Sequence, residues 1–170
     1  MKGLIARPRE KGEVLQEENR KVAFGRKEAF CMLLLGAVIG IGLNLAFSAL
    51  GITEASESFK RTAGEQFSKP LAEALLLYGI GAPLLEEVIF RKGVYGLIRR
   101  FTGFTTAMIV SAAVFGIYHG NVVQGLYAFL MGLVMAVNYE KYKTLLAPIF
   151  FHSGANLAVC LFIYFSWMNL

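Results

Sequence analysis

The longest uncharged segment of the chain comprises 39 residues, from Phe101 to Tyr139, and reads FTGFTTAMIVSAAVFGIYHGNVVQGLYAFLMGLVMAVNY. Two more segments also lack charge, 25 residues from 29 to 53 and 27 residues from 144 to 170. A membrane-spanning helix needs about 20 predominantly apolar residues, whereas a helix at the surface of a soluble protein carries charged residues on its outer face. The three segments therefore predict an integral membrane protein.

The hydropathy pattern predicts an all-α transmembrane bundle of about five spans. Of the 170 residues, 56% are hydrophobic, against about 45–50% in soluble domains. The predicted helices are Phe30–Ala49, Leu71–Ile98, Thr105–His119, Val122–Asn138 and Leu145–Trp167. Gly36 and Gly40, four residues apart in the first helix, indicate close packing against another helix. We interpret Gly51–Lys69 as a polar loop between the first two helices.

Residues 1–28 are polar and predict a cytosolic arm, followed by a transmembrane domain over 29–170 whose motif-bearing core is 71–165. With five spans and a cytosolic N-terminus, fourteen of the 17 Lys and Arg residues fall on the cytosolic side, in agreement with the positive-inside rule. The net charge of +5 therefore indicates topology and contact with anionic lipid, and not nucleic-acid binding. We expect the protein to reside in a prokaryotic plasma membrane.

Two adjacent carboxylates, Glu86 and Glu87, fall inside the second predicted helix. A charged carboxylate at the centre of a membrane helix costs about 2.5–3.5 kcal/mol, so each glutamate needs a partner or a function. Glu87 and Arg91 are four residues apart and share a helix face, which predicts an ion pair of mainly structural role. Glu86 points about 100° away from that face and lacks that partner.

The two histidines of the chain, His119 and His152, also lie in uncharged segments. His152 and Asn156 are four residues apart on the last helix, and Phe115 and His119 have the same spacing on the third. A single buried histidine is more often a core residue with its hydrogen bonds satisfied than a functional one. Ionisable residues inside a membrane are functional by default, however. We therefore expect Glu86, both histidines and Asn156 to converge in one layer of the bundle.

Three short motifs carry a resemblance to a known family: EEVIFR at Glu86–Arg91, FGIYH at Phe115–His119 and HSGAN at His152–Asn156. They resemble the EExxxR, FxxxH and HxxxN motifs of the CPBP family, also called the Abi family, which includes CAAX-type prenyl proteases and bacteriocin-processing or immunity proteins. All three occur in the family's order, each on its own predicted helix. The resemblance covers about residues 71–165 and implies intramembrane proteolysis.

The resemblance also implies a role for each matching residue. Glu86 corresponds to the catalytic glutamate that activates a water molecule together with His119. His152 and Asn156 correspond to residues that complete the site as oxyanion donors or metal ligands, and in their neutral forms both can donate hydrogen bonds. Amide hydrolysis needs a base for water, a donor for the oxyanion and an acid for the leaving amine. The motif residues that we expect to support the helices are Glu87, Arg91 and Phe115.

The sequence leaves the part played by a metal open. Glu86, His119 and His152 could hold Zn²⁺ as a His₂Glu set with an open position, although we favour activation of water without a metal. Other protease classes are easier to exclude. The chain contains no aspartate for an aspartyl dyad and no HExxH motif. Phe151 replaces the glycine that a rhomboid-type GxSG motif needs two residues before Ser153.

Three functions compete at this point. The first is an intramembrane endopeptidase that cleaves a membrane-anchored protein or peptide, with a lipidated CAAX-type substrate as one option. The second is a bacteriocin immunity or binding protein that uses the same pocket without turnover, although binding alone would not require both Glu86 and His119. The third is a proton-linked transporter, which is disfavoured by the small size of the chain and by the lack of a visible inverted repeat.

Overall fold

The computed structural model describes residues 22–53 and 55–168. Within these ranges the chain forms six helices and no strand, which confirms the predicted all-α membrane bundle. They are α1 (Arg26–Ala49), α2 (Glu57–Phe67), α3 (71–101), α4 (Phe104–Tyr118), α5 (Val122–Tyr142) and α6 (Leu146–Met168). Most of the predicted cytosolic arm, residues 1–21, lies outside the described residues, and the division into arm and domain stays a prediction.

Each of the five predicted spans coincides with one helix: α1, α3, α4, α5 or α6. Of the helices in the described ranges, three are long and apolar enough to cross a membrane, namely α1, α5 and the Leu146–Ser166 part of α6. The apolar helix α4 has 15 residues, or about 22 Å of length, which is less than the hydrocarbon core of about 30 Å. The cytosolic N-terminus rests on the distribution of Lys and Arg and stays a prediction.

Helix α3 is one uninterrupted helical run with two stretches widened into π-helix, Leu75–Gly81 and Val88–Tyr95. Pro83 lies between them. Its ring cannot donate a backbone hydrogen bond and would clash with the carbonyl four residues earlier, which accounts for the widened turns before it. Wide turns of this kind are frequent at functional sites. Here they flank the segment that carries Glu86 and Glu87.

Helices α1 and α6 pack together through glycine contacts. A Cβ atom at Gly36 would overlap the carbonyl oxygen of Phe151, and a Cβ atom at Gly154 would overlap the carbonyl oxygen of Leu33. Gly40 faces α6 in the same way. Small residues of this kind allow two helix backbones to approach closely in a membrane. The predicted packing role of Gly36 and Gly40 is confirmed.

The prediction of a loop over Gly51–Lys69 is wrong, because most of this segment forms α2. Ser56 caps the helix, and its hydroxyl accepts a hydrogen bond from the Phe59 backbone N–H at 3.3 Å. The exposed face carries four charged residues: Glu57, Lys60, Arg61 and Glu65. The half-buried face carries Phe59, Thr62, Ala63 and Gln66. A short amphipathic helix of low mean hydropathy does not stand out among long apolar segments, which explains the error.

Several contacts hold α3 in the bundle. Its Phe90 belongs to a buried core with side chains from α4, α5 and α6, namely Phe115, Met131, Met135 and Phe151. Closer to the C-terminal end of α3, the Tyr95 hydroxyl donates to Glu140 of α5 at 2.5 Å, and Arg99 donates to the same carboxylate at 3.0 Å. These contacts fix the depth of Glu86 relative to the other helices.

Candidate active site

The four residues predicted to be catalytic line one cavity of about 550 Å³ inside the bundle. Glu86 comes from α3, His119 from the turn after α4, and His152 and Asn156 from α6. Phe115 also lines this cavity. The structure therefore brings together side chains that lie up to 70 positions apart in the sequence.

His152 is held between the two adjacent carboxylates of α3. Its Nδ1 atom lies 3.0 Å from Oε1 of Glu87, and its Nε2 atom lies 3.8 Å from Oε2 of Glu86. Because an ionised carboxylate only accepts hydrogen bonds, Nδ1 of His152 donates to Glu87. In a neutral ring this leaves a lone pair at Nε2, so His152 offers an N–H to the cavity only when its ring is protonated. The role of His152 in the reaction stays a prediction.

Glu87 also forms the predicted ion pair with Arg91. Oε2 of Glu87 lies 3.1 Å from Nε of Arg91, and both side chains are fully buried. The geometry of this contact is not that of a hydrogen bond. Among the described residues, 22–53 and 55–168, no acceptor forms a hydrogen bond with the Arg91 guanidinium. Its charge lies 5.0 Å from the centre of the Phe115 ring, a favourable cation–π position. The pairing of Arg91 with Glu87 limits the cost of burying these two charges.

His119 follows the last residue of α4 and has its ring orientation fixed by the backbone. Its Nδ1 atom lies 2.8 Å from the carbonyl oxygen of Phe115. A carbonyl oxygen only accepts, so Nδ1 carries the proton and the neutral ring has its lone pair at Nε2. Gly120 follows with a φ of +73° and ends the helix in the left-handed conformation that glycine adopts without strain. The ring borders the cavity with a nitrogen that can accept a proton.

Asn156 is fixed by a contact with α3. Its Nδ2 atom donates to the backbone carbonyl oxygen of Tyr78 at 2.8 Å. Tyr78 belongs to the first π-helical stretch, Leu75–Gly81. A side-chain amide has two N–H groups, so Asn156 retains one for a group in the cavity.

Phe115 lies between the two histidines. Its ring meets His119 and His152 edge to face, with ring centres 4.8 and 5.8 Å apart. Edge-to-face pairs are a favoured arrangement of aromatic rings. The Phe115 side chain is 1% exposed, so it acts as a rigid spacer between the two rings.

The candidate zinc ligands do not form a metal site. Across the part of the chain that the structure describes, no three His, Cys, Asp or Glu side chains are grouped so that they could hold a metal ion. Glu86, His119 and His152 therefore do not fit the His₂Glu arrangement that the sequence left open.

Two contacts and one helix of the site were not predicted. The pairs Glu87–His152 and Tyr78–Asn156 join residues 65 and 78 positions apart, and a single sequence carries no signal for such pairs. Helix α2 supplies part of the cavity wall. The helical spacing of its half-buried residues, from Phe59 to Gln66, is the pattern that could have indicated it.

The fold and the site define a helical membrane protein that holds a cluster of ionisable residues inside its bundle. Residues 69–158, more than half of the chain, match the family model described as Type II CAAX prenyl endopeptidase Rce1-like. The chain belongs to this family. This result confirms the resemblance found in the three motifs.

Two bacterial proteins are similar to the chain. The first is YdiL of Bacillus subtilis (strain 168), whose name describes a candidate membrane peptidase. It is 29% identical to the chain over 144 residues, and the match covers 79% of the chain and 58% of YdiL. The second is the membrane-embedded CAAX protease MroQ of Staphylococcus aureus (strain USA300), which is 31% identical over 94 residues, or 52% of the chain and 38% of MroQ. The matched part of the chain thus covers a little more than half of YdiL and less than half of MroQ. No solved structure matches it significantly.

Proposed function

We propose that the protein is an intramembrane endopeptidase that hydrolyses a peptide bond in a membrane-anchored protein or peptide. The observation that carries the proposal is the shared cavity of Glu86, His119, His152 and Asn156. Membership of the Rce1-like family supports the same activity. The bacterial relatives favour the plasma membrane as its location.

In the proposed reaction a water molecule binds between Glu86 and Nε2 of His119. Removal of one proton from the water by these groups lets its oxygen attack the carbonyl carbon of the substrate, and a tetrahedral oxyanion forms. His119 suits the role of base because its Nδ1 proton is already donated to the backbone of Phe115. Glu86 lines the same cavity as His119, and its Oε2 atom lies 3.8 Å from Nε2 of His152.

The oxyanion is stabilised by Asn156 and by His152 in its protonated form. Asn156 has one N–H left after its bond to Tyr78, and a protonated His152 has one left after its bond to Glu87. Fixed donors of this kind lower the barrier because they need no reorganisation during the reaction. Collapse of the intermediate breaks the C–N bond, and the leaving amine takes up the proton removed from water. The products are a new carboxylate and a new amine.

The experiment that tests the proposal compares protein termini in membrane fractions. Cells that lack the gene receive the wild type, Glu86→Gln or Glu73→Gln, and new N- and C-termini are identified by mass spectrometry. Glu73 is an exposed glutamate of the same helix that pairs with Lys69 outside the cavity, so Glu73→Gln matches the chemical change without touching the site.

We expect a set of termini that is present with the wild type and Glu73→Gln and absent with Glu86→Gln. Equal amounts of the three proteins in the membrane are the control for folding. Identical termini in all three samples would contradict proteolysis and would favour the immunity or binding function instead.

A further inference from the structure

The turn between α4 and α5 joins two helix ends whose backbones touch. A Cβ atom at Gly116 would lie 2.7 Å from the carbonyl oxygen of Gly125, and a Cβ atom at Gly125 would lie 3.0 Å from the carbonyl oxygen of Gly116. Gly116 belongs to the last turn of α4, which leads into His119, and Gly125 belongs to the first turn of α5. The first turn of α5 is therefore held beside the turn that carries the candidate base.

Asn121 is the N-cap residue of α5 and binds Gln124 twice. Its Oδ1 atom accepts a hydrogen bond from the backbone N–H of Gln124 at 2.8 Å, which is the usual contact of a capping side chain. Its Nδ2 atom donates a second hydrogen bond to Oε1 of Gln124 at 2.6 Å. The first bond stabilises the start of the helix, whereas the second has no part in capping and fixes a side chain instead.

The two bonds also decide which side of the Gln124 amide faces Asn121. The backbone N–H has to meet an acceptor, so this atom of Asn121 is the amide oxygen, and the other atom is the nitrogen. That nitrogen only donates, so the atom of Gln124 that it meets is Oε1, and Nε2 with its two N–H groups takes the opposite side. Because Gln124 lines the cavity together with Glu86 and His119, the part of its amide that can meet a ligand there is the donor.

We propose that Gln124 is a substrate-binding residue, whose Nε2 atom donates a hydrogen bond to a backbone carbonyl oxygen near the scissile bond, and that Asn121 is the positioning residue that orients its amide. The inference rests on the proposed endopeptidase activity and adds a substrate contact to it. A polypeptide that enters the cavity loses water from its carbonyl groups, and a carbonyl left without a donor is costly. Asn156 and His152 donate to the carbonyl that is attacked in the proposed reaction, so Gln124 serves a neighbouring carbonyl and aligns the chain.

The test for Asn121 is Asn121→Asp, which keeps the cap and removes the donor. Aspartate accepts the backbone hydrogen bond at an N-cap as well as asparagine does, but its carboxylate cannot donate to Oε1 of Gln124. The amide of Gln124 should turn over and donate to this carboxylate, so that its donor is lost to the substrate.

The measurement uses a synthetic peptide that spans a bond whose cleavage in cells depends on Glu86, added to purified protein in liposomes. For Asn121→Asp we expect an unchanged melting temperature, a KM about tenfold above that of the wild type and a nearly unchanged kcat. A contact made equally in the ground state and in the transition state affects substrate binding alone, and one hydrogen bond accounts for an effect of this size.

Three further variants separate this role from a structural one. Gln124→Met keeps the approximate size of the side chain, removes its amide and should raise KM by a similar factor. In Asn121→Asp/Gln124→Met the two effects should not multiply, because Asn121 acts through Gln124. Asn121→Ser caps the helix without a charge and should also raise KM, so it replaces Asn121→Asp if thermal unfolding in detergent shows that the latter is not folded.

Three outcomes would overturn the inference and leave the proteolytic activity standing. A KM of Gln124→Met equal to that of the wild type would remove Gln124 from substrate binding. Effects that multiply in the double variant would show that Asn121 acts independently of Gln124. A fall in kcat at constant KM would show that the turn serves to position His119 and not to bind the substrate. A peptide left intact by the folded wild type would overturn the proposed function and this inference with it.

Discussion

Glu87 has two partners, and we expect one contact to support stability and the other to support catalysis. It pairs with Arg91 and accepts a hydrogen bond from His152. Loss of the carboxylate in Glu87→Leu leaves Arg91 buried without a counter-charge, and we expect the protein to lose about 3–5 kcal/mol of stability. The double variant Glu87→Leu/Arg91→Met removes both charges and should regain stability close to that of the wild type, as measured by thermal unfolding in detergent.

Cleavage by the double variant separates the structural role of Glu87 from its role in positioning His152. We expect cleavage to remain at least about tenfold below that of the wild type, because the carboxylate that orients His152 is still missing. Full cleavage by a stable double variant would show that Glu87 serves only to neutralise Arg91.

The remaining N–H of Asn156 gives a second prediction at this scale. In Asn156→Ala the oxyanion loses one donor, and kcat should fall by about 10²–10³-fold. The lost hydrogen bond to Tyr78 should lower the stability by about 1–3 kcal/mol, so both proteins are compared at a temperature where each is folded. Ser166→Ala is the matched control, because it removes a donor from an exposed hydrogen bond of the same helix. A kcat within a factor of about two of the wild type for Asn156→Ala would remove Asn156 from the mechanism.

Residue identities could be predicted from the sequence to a large extent, but contacts could not. Charges in an apolar segment are expensive, which is why Glu86, His119 and His152 stand out. The hydrogen-bond state of each ring depends on neighbours from other helices, such as Glu87 for His152. Nothing in the sequence indicates that Nδ1 of His152 lies 3.0 Å from Oε1 of Glu87, on another helix.

Among the helices, the interface of α1 with α6 has the tightest backbone contacts. Gly36→Ala would force a methyl group against the Phe151 carbonyl, and we expect a loss of about 1–3 kcal/mol of stability. Gly42→Ala on the same helix meets no atom within 4 Å and should be neutral or slightly stabilising, because alanine favours helix formation. Thermal unfolding of both variants in one detergent checks the difference, and equal melting temperatures would contradict the close approach of the two helices.

The long apolar helices can be predicted from the sequence, whereas the short helix α2 cannot. The predicted and observed ends of α1, α3, α4, α5 and α6 differ by only a few residues at most, because an uncharged apolar segment of sufficient length has to be helical in a membrane. A helix of 11 residues with four charges gives no such signal. The role of its half-buried face, which lines the cavity, is visible only in the folded structure.

For the whole molecule, the charge distribution predicts an orientation that labelling can check. In a background without Cys31 and Cys160, Ser58→Cys places a thiol on α2 and Lys141→Cys places one at the C-terminal end of α5. We expect a membrane-impermeant maleimide to label the first in intact cells and the second only after permeabilisation, because the basic residues favour the cytosolic side. The reverse pattern would contradict the predicted orientation.

The central claim is that this chain itself cleaves peptide bonds by means of Glu86. The most direct measurement incubates purified wild type or Glu86→Gln, reconstituted in liposomes, with a substrate identified from the termini found in cells. We predict that the wild type produces the same terminus as in cells and that Glu86→Gln, equally folded by thermal unfolding, produces none. Equal cleavage by both proteins would contradict the assignment of Glu86. No cleavage by a folded wild type, under conditions where the substrate is inserted and intact, would contradict the claim that the chain is a protease.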